Sequence, residues 1–159
     1  MKKFAVIMIA LAVATFFIVG VSAQSADWWY VTGREGGSRA KDNQVKLSRG
    51  KNYIYLYFRD GKPGADFDKI QLDFTLDKPL EVVWQAFYGP NALVVGSEEV
   101  IGTIDKGPIE TDFTGFNKVW SGRGALNKKT MVGMCLMVTV PSGNATFTMN
   151  SVQFLGLQQ

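Results

Sequence analysis

Three tyrosines, Tyr53, Tyr55 and Tyr57, alternate with apolar residues in the run Tyr53-Ile54-Tyr55-Leu56-Tyr57-Phe58. In an extended chain, residues two apart share a face and stand about 7 Å apart. A flat aromatic ring stacks on the apolar C–H face of a sugar ring, so three such rings form a platform if their face meets solvent. The competing reading is aromatic pairing across strands, with each hydroxyl reaching water. Trp120 precedes the glycine-rich stretch Ser121-Gly122-Arg123-Gly124. Its ring either projects at a rim, where the Arg123 guanidinium can hydrogen-bond a hydroxyl or carboxylate, or packs into the core. Trp28 and Trp29 are adjacent, so in a strand one points in and the other out. Trp84 lies in an apolar run and reads as core.

Other chemistry is limited by residue type. The chain has no histidine. That removes Ser-His-Asp and Cys-His catalysis and the commonest transition-metal ligand. Asp60, Asp66 and Asp68 are candidate oxygen ligands for a structural calcium, although no complete calcium-loop pattern surrounds them. No other cofactor is implied. Glu81, Glu98, Glu99, Glu110 and Asp112 could supply the paired carboxylates of a glycosidase, which must face each other at about 5–10 Å. Linear spacing sets up no such pair, and the reading is a non-catalytic protein. Cys135, the single cysteine, is flanked by apolar residues on both sides and reads as a buried, inert thiol. Asn144-Ala145-Thr146 has the form of a glycosylation acceptor.

Address comes from the first residues. Lys2 and Lys3 lead into an apolar run from position 4 to 21, which exits through Val21-Ser22-Ala23. A positive head, an apolar middle and a small-residue exit make a secretory signal peptide over residues 1–23. The run is long enough to serve as a membrane anchor instead, but the exit tripeptide follows directly and no basic stop-transfer flank does. The expected mature protein, residues 24–159, is one domain that is secreted, periplasmic or on the cell surface, with no stable membrane span after cleavage. Of 17 Lys and Arg, two belong to the leader, which leaves 15 against 14 Asp and Glu. A near-neutral chain gives nucleic acid no electrostatic handle. Charge is segregated all the same. Residues 34–51 and 118–129 are basic and residues 97–112 are acidic. Such segments are solvated loops or the two sides of a self-associating surface.

The elements that must position these groups read as strands. Period-two alternation runs through residues 53–58, 67–76 and 145–149. Residues 131–140 are apolar on both faces, as in a central strand covered on both sides. The alternation breaks after Met149, which predicts a bulge near Asn150-Ser151. Turn signals separate the runs, among them Asp77-Lys78-Pro79, Gly89-Pro90-Asn91 and Pro141-Ser142-Gly143-Asn144. Residues 80–88 fit a helix, with Leu80, Val83, Trp84 and Phe87 on one side, but their β-branched and aromatic residues favour a strand.

This order of elements resembles jelly-roll carbohydrate-binding modules and galactose-binding-like domains. The likeness lies in a long alternating strand (67–76), a tight turn, an aromatic-rich strand (80–88), and the closing run Phe147-Thr148-Met149-Asn150-Ser151-Val152-Gln153-Phe154. In those families the closing strand often carries an aspartate before its final apolar pair. Asn150-Ser151 stands there in this chain. The resemblance implies an all-β, antiparallel β-sandwich of jelly-roll type with little or no helix after the signal peptide. Taken with the tyrosine row and the tryptophans, this strand order points to a polysaccharide or glycan partner, with Tyr53, Tyr55, Tyr57, Trp120 and Arg123 as the candidate contacts. The alternative is a structural subunit of an extracellular layer, sheath or filament that assembles with copies of itself.

The mature chain is expected to begin at or near Gln24. Intact-mass measurement of secreted protein checks this, and a mass retaining residues 1–23 would contradict it.

Overall fold

The structure, a computed structural model, describes residues 23–25, 28–32, 43–58 and 67–156, with side chains for the last two segments apart from Glu98. Most of the expected leader and the calcium candidates Asp60 and Asp66 lie outside the described residues. Ten strands follow in order: β1 (Ala23–Ser25), β2 (Trp28–Thr32), β3 (Gln44–Leu47), β4 (Gly50–Phe58), β5 (Lys69–Tyr88), β6 (Val94–Lys106), β7 (Ile109–Thr111), β8 (Lys118–Ser121), β9 (Gly133–Val140) and β10 (Ala145–Leu155). All their pairings are antiparallel. Among the described residues the only helical turn is a 3-10 turn at Lys128–Thr130.

The pairings are nested. β3 pairs with β10, β4 with β9, the first half of β5 with β7, and its second half with β6. A chain of nested antiparallel pairs rolled into two layers is a jelly roll. The first layer runs β3-β10-β5-β7, with β1 beside β3 on β10. The second runs β2-β4-β9-β5-β6-β8. The expected antiparallel sandwich is therefore the observed one, and its jelly-roll order follows from the ladder alone.

One expectation is overturned. Asp77-Lys78-Pro79 is no turn, because β5 runs unbroken through it for 20 residues. Pairing with β10 stops at Leu76 and pairing with β9 starts at Glu81. Residues 77–80 are where the strand leaves one layer for the other, so the missing N–H of Pro79 breaks no bond to β9 or β10. The crossing is tied to the β9–β10 hairpin. Asp77 Oδ2 accepts from the Thr146 amide at 2.9 Å, and Lys78 Nζ donates to the carbonyls of Ser142 and Asn144 at 3.1 and 2.9 Å.

Side-chain phase explains the interior. Along β5 every even-numbered residue from 70 to 84 except Lys78 is buried, which gives one inward face across both layers. At Gln85 the phase slips. Trp84 is opposite Leu136 and Ala86 is opposite Cys135, which leaves Gln85 as the extra residue of a bulge. Phe87 then turns inward beside Trp84, their rings 5.5 Å apart. The three-residue spacing of Trp84 and Phe87 that imitates a helix is thus a bulged strand. The bulge expected near Asn150 is also present, with the register shifting between Met149 and Ser151. It lets Phe147 and Met149 on one side, and Val152 and Phe154 on the other, all face the core.

Aromatic rings join the layers. Phe154 on β10 packs on Phe67 at 4.8 Å, Phe67 on Phe113 at 5.5 Å, and Phe113 on Phe87 at 4.6 Å. Lys128 Nζ lies 5.0 Å from the centre of the Phe113 ring and donates to the Phe67 carbonyl at 2.8 Å, which fastens the loop over this end of the core.

Deleting Asn150 should cost at least about 3 kcal/mol, because two large side chains on one side of the bulge must leave the core. Asn150→Ala, at an exposed site, should stay within about 1 kcal/mol. Urea unfolding of both variants checks this, and equal midpoints would refute the bulge account.

Candidate functional site

The outer face of the second layer is built by register. Directly opposed residues of an antiparallel pair point to the same side. One row across the sheet therefore reads Tyr57, Gly133, Tyr88, Val94 and Ser121 from β4 to β8. The next reads Tyr55, Cys135, Ala86, Gly96 and Lys118. A third begins Tyr53, Met137 and Val83, and a fourth reads Lys51, Thr139, Glu81 and Thr103. The face is aromatic at one end and polar at the other, where the Thr139 hydroxyl donates to Glu81 Oε1 at 3.2 Å. Ile54 and Leu56, the neighbours of the tyrosines on β4, are fully buried in the core, and this is what turns the tyrosines outward.

Tyr53, Tyr55 and Tyr57 are each half-buried. Tyr55 and Tyr57 stack with ring centres 6.5 Å apart. Both also meet Tyr88, which reaches across from β5, at 6.2 and 6.0 Å. They can meet because β9 carries a glycine between Tyr57 and Tyr88. A Cβ at Gly133 would run into the Leu56 carbonyl and press on the Tyr57 ring. The rings thus form a three-membered cluster with Tyr53 alongside, rather than a straight row. Tyr88 is the residue that reading the sequence missed. Its outward direction depends on the slip at Gln85, and the signal available was the Trp84–Phe87 spacing.

Beneath the rings lies an apolar floor of Val83, Ala86, Cys135 and Met137, all buried yet outside the interior cluster. Cys135 is buried as its flanks imply, but under the tyrosines rather than between the layers. Burial pushes its thiol up to about 12, and a hydrogen bond with Tyr88 offsets part of that rise. Burial first, then the nearby Cys135, also raises the hydroxyls of Tyr55, Tyr57 and Tyr88 above the ordinary tyrosine range, Tyr88 by far the most.

Trp120 closes the far side. Its indole lies over Gly96, where any Cβ would collide with the ring, and it remains 40% exposed. With β4 and β8 four strand steps apart, Tyr53, Tyr55 and Tyr57 lie on a strand about 19 Å from that of Trp120, whereas Tyr88 on β5 is two steps away. Arg123 is exposed in the loop after β8 and makes no hydrogen bond among the described residues. β2 pairs with β4, which puts Trp29 opposite Tyr57. Trp84 is wholly in the core, as expected. Asp68 is exposed, and among the described residues no three acidic, cysteine or histidine side chains converge on one point. No helix among the described residues is long and apolar enough to cross a membrane.

The chain matches no family model and no curated protein sequence. Among solved structures it is similar to a family 11 carbohydrate-binding module from Clostridium thermocellum, in complex with a β-1,3-1,4-mixed-linked tetrasaccharide. That likeness has 14% identity and a TM-score of 0.45, over 91% of this chain and 94% of the module. Likeness at this level carries no functional argument, and the jelly-roll assignment rests on the strand order given above.

The raised thiol has a consequence for stability. An unfolded thiol ionises near 9, whereas the folded one holds its proton to about 12. The unfolded state then binds fewer protons across that window, so stability is full below pH 9 and falls as pH rises from 9 to 12. Cys135→Ser, which cannot ionise there, should show a shallower decline in urea midpoints measured between pH 8 and 11. Superimposable profiles, or rapid labelling of native Cys135 by a thiol reagent at pH 8, would contradict a buried thiol.

Proposed function

We propose that this protein is a secreted, non-catalytic jelly roll that binds a glycan on the outer face of its second layer. One observation carries the reading: Tyr53, Tyr55, Tyr57, Tyr88 and Trp120 share that face, none of them fully buried, above a floor of small and apolar residues. Aromatic rings fixed by a β-sheet are the groups that stack on sugar C–H faces. Each such contact is weak, about 1 kcal/mol by analogy with other aromatic interactions, so affinity arises from several rings together. Residues 1–23 support export from the cytoplasm, to the periplasm, the cell surface or the medium, and residues 24–159 constitute the working domain.

A second reading has its own support. Val100 and Val119 are 68% and 44% exposed, and β8 lies at the end of the second layer with all four of its residues exposed. An exposed edge strand of this kind suits a subunit that pairs with copies of itself in an extracellular layer or filament.

The mature protein should be retained in native gels by at least one neutral or weakly acidic polysaccharide. The triple variant Tyr53→Ala, Tyr55→Ala, Tyr57→Ala should lose that retention while keeping its far-UV spectrum. Equal retention by the folded triple variant removes the tyrosines from the site. No retention on any polysaccharide, together with concentration-dependent growth in light scattering, favours the self-assembling subunit.

A further inference from the structure

Gln85 is the one amide that the bulge in β5 sets among the apolar residues of the aromatic face. Val83 and Ala86 flank it on its own strand, and Cys135 and Met137 lie across on β9, all four of them buried. Burying a carboxamide beside such neighbours is costly unless its polar atoms find partners. Half of that requirement is met inside the protein. The Cys135 thiol lies 3.6 Å from Gln85 Oε1, and an equal 3.6 Å from the Leu136 carbonyl as its other acceptor. The other half of the carboxamide, the Nε2 amino group, makes no hydrogen bond among the described residues, and the side chain is only half-buried. Bulges recur next to binding sites because the extra residue re-aims a side chain without disturbing the core on the other face.

We propose that Gln85 is the polar anchor of the glycan face, its amide oriented by Cys135 so that Nε2 donates to a sugar hydroxyl or ring oxygen. This inference rests on the glycan reading above and names a residue and a positioning role that the reading does not contain. Stacking on tyrosines is tolerant of which sugar lies there, because every pyranose has a C–H face. A single donor at a set place on that face is what discriminates, since ligand sites combine an apolar surface with a few placed polar groups. Cys135 acts through Gln85 and touches no ligand, so it is a positioning residue. Its thiol limits which end of the amide turns inward.

The test is native affinity electrophoresis of the mature protein on hydroxyethylcellulose, galactomannan and xylan, with wild type beside Gln85→Met, Gln85→Glu, Cys135→Ala and Cys135→Ser. Gln85→Met keeps the length and loses the donor, and should bind about tenfold more weakly on the best polysaccharide. It should also flatten the ranking among the three. Gln85→Glu replaces the donor with an acceptor and should do the same. Cys135→Ala should flatten the ranking while keeping the wild-type far-UV spectrum, and Cys135→Ser, which restores a donor to Gln85 Oε1, should recover most of it. A structural role alone would lower retention on all three polysaccharides in proportion and leave the ranking as it was. Wild-type affinity and ranking in folded Gln85→Met overturn the inference and leave the glycan reading standing. Absence of retention by the wild type on any glycan removes the glycan reading and this inference with it.

Discussion

A single 20-residue strand has to bury one face in two different layers, and the rest of the architecture depends on this. β5 pairs with β10 and β7 along its first half and with β9 and β6 along its second. Among the described residues it is the only element central to both sheets. Its inward residues are Ile70, Leu72, Phe74 and Leu76 in one layer and Leu80, Val82, Trp84 and Phe87 in the other. A side chain turned the wrong way anywhere along it would place an apolar residue in water and a polar one in the core, because a one-residue slip reverses every later direction. The crossing at residues 77–80 keeps phase, and Pro79 sits there because neither β9 nor β10 asks it for a hydrogen bond.

Two of the changes of phase shape the core and the candidate face. At Asn150 the slip keeps both ends of β10 pointing into the core. At Gln85 it does the same for Phe87 and, as a by-product, sends Tyr88 out to the tyrosines of β4. The functional candidate thus follows from the core. Packing of Trp84 and Phe87 sets the bulge, the bulge sets Tyr88, and Gly133 leaves room for Tyr57 and Tyr88 to touch. The aromatic face is held from below by residues that never meet a ligand. Sites built on the rigid elements of a scaffold hold their geometry better than sites on loops.

Cys135 shows how far burial alone can mislead about location. Apolar flanks do place it out of water, and the strand it occupies is central, lying between β4 and β5. Yet Met134 and Leu136, its neighbours on either side, take the interior, and Cys135 faces the opposite way under three rings. A strand covered on both faces reads as one apolar run, and the run says nothing about which cover is the core and which is a surface cluster.

The sequence by itself determined the strands wherever alternation was strict, the position of the Asn150 bulge, the outward direction of Tyr53, Tyr55 and Tyr57, and the core position of Trp84. Each of these is a local consequence of period two combined with burial of one face, so each can be read from a few consecutive residues. The sequence also excluded histidine-based chemistry, which is a matter of composition alone. Only the tertiary structure decided that β5 is continuous, that Tyr88 joins the tyrosines, that the rings cluster instead of standing in line, and that Trp120 lies over Gly96 on the same face. These depend on which strands become neighbours and in what register. Residues such as Tyr57 and Tyr88 are brought together by pairings between strands far apart in the chain. No local pattern carries that information, because the free energy that selects the register is gained only when both layers close on one core.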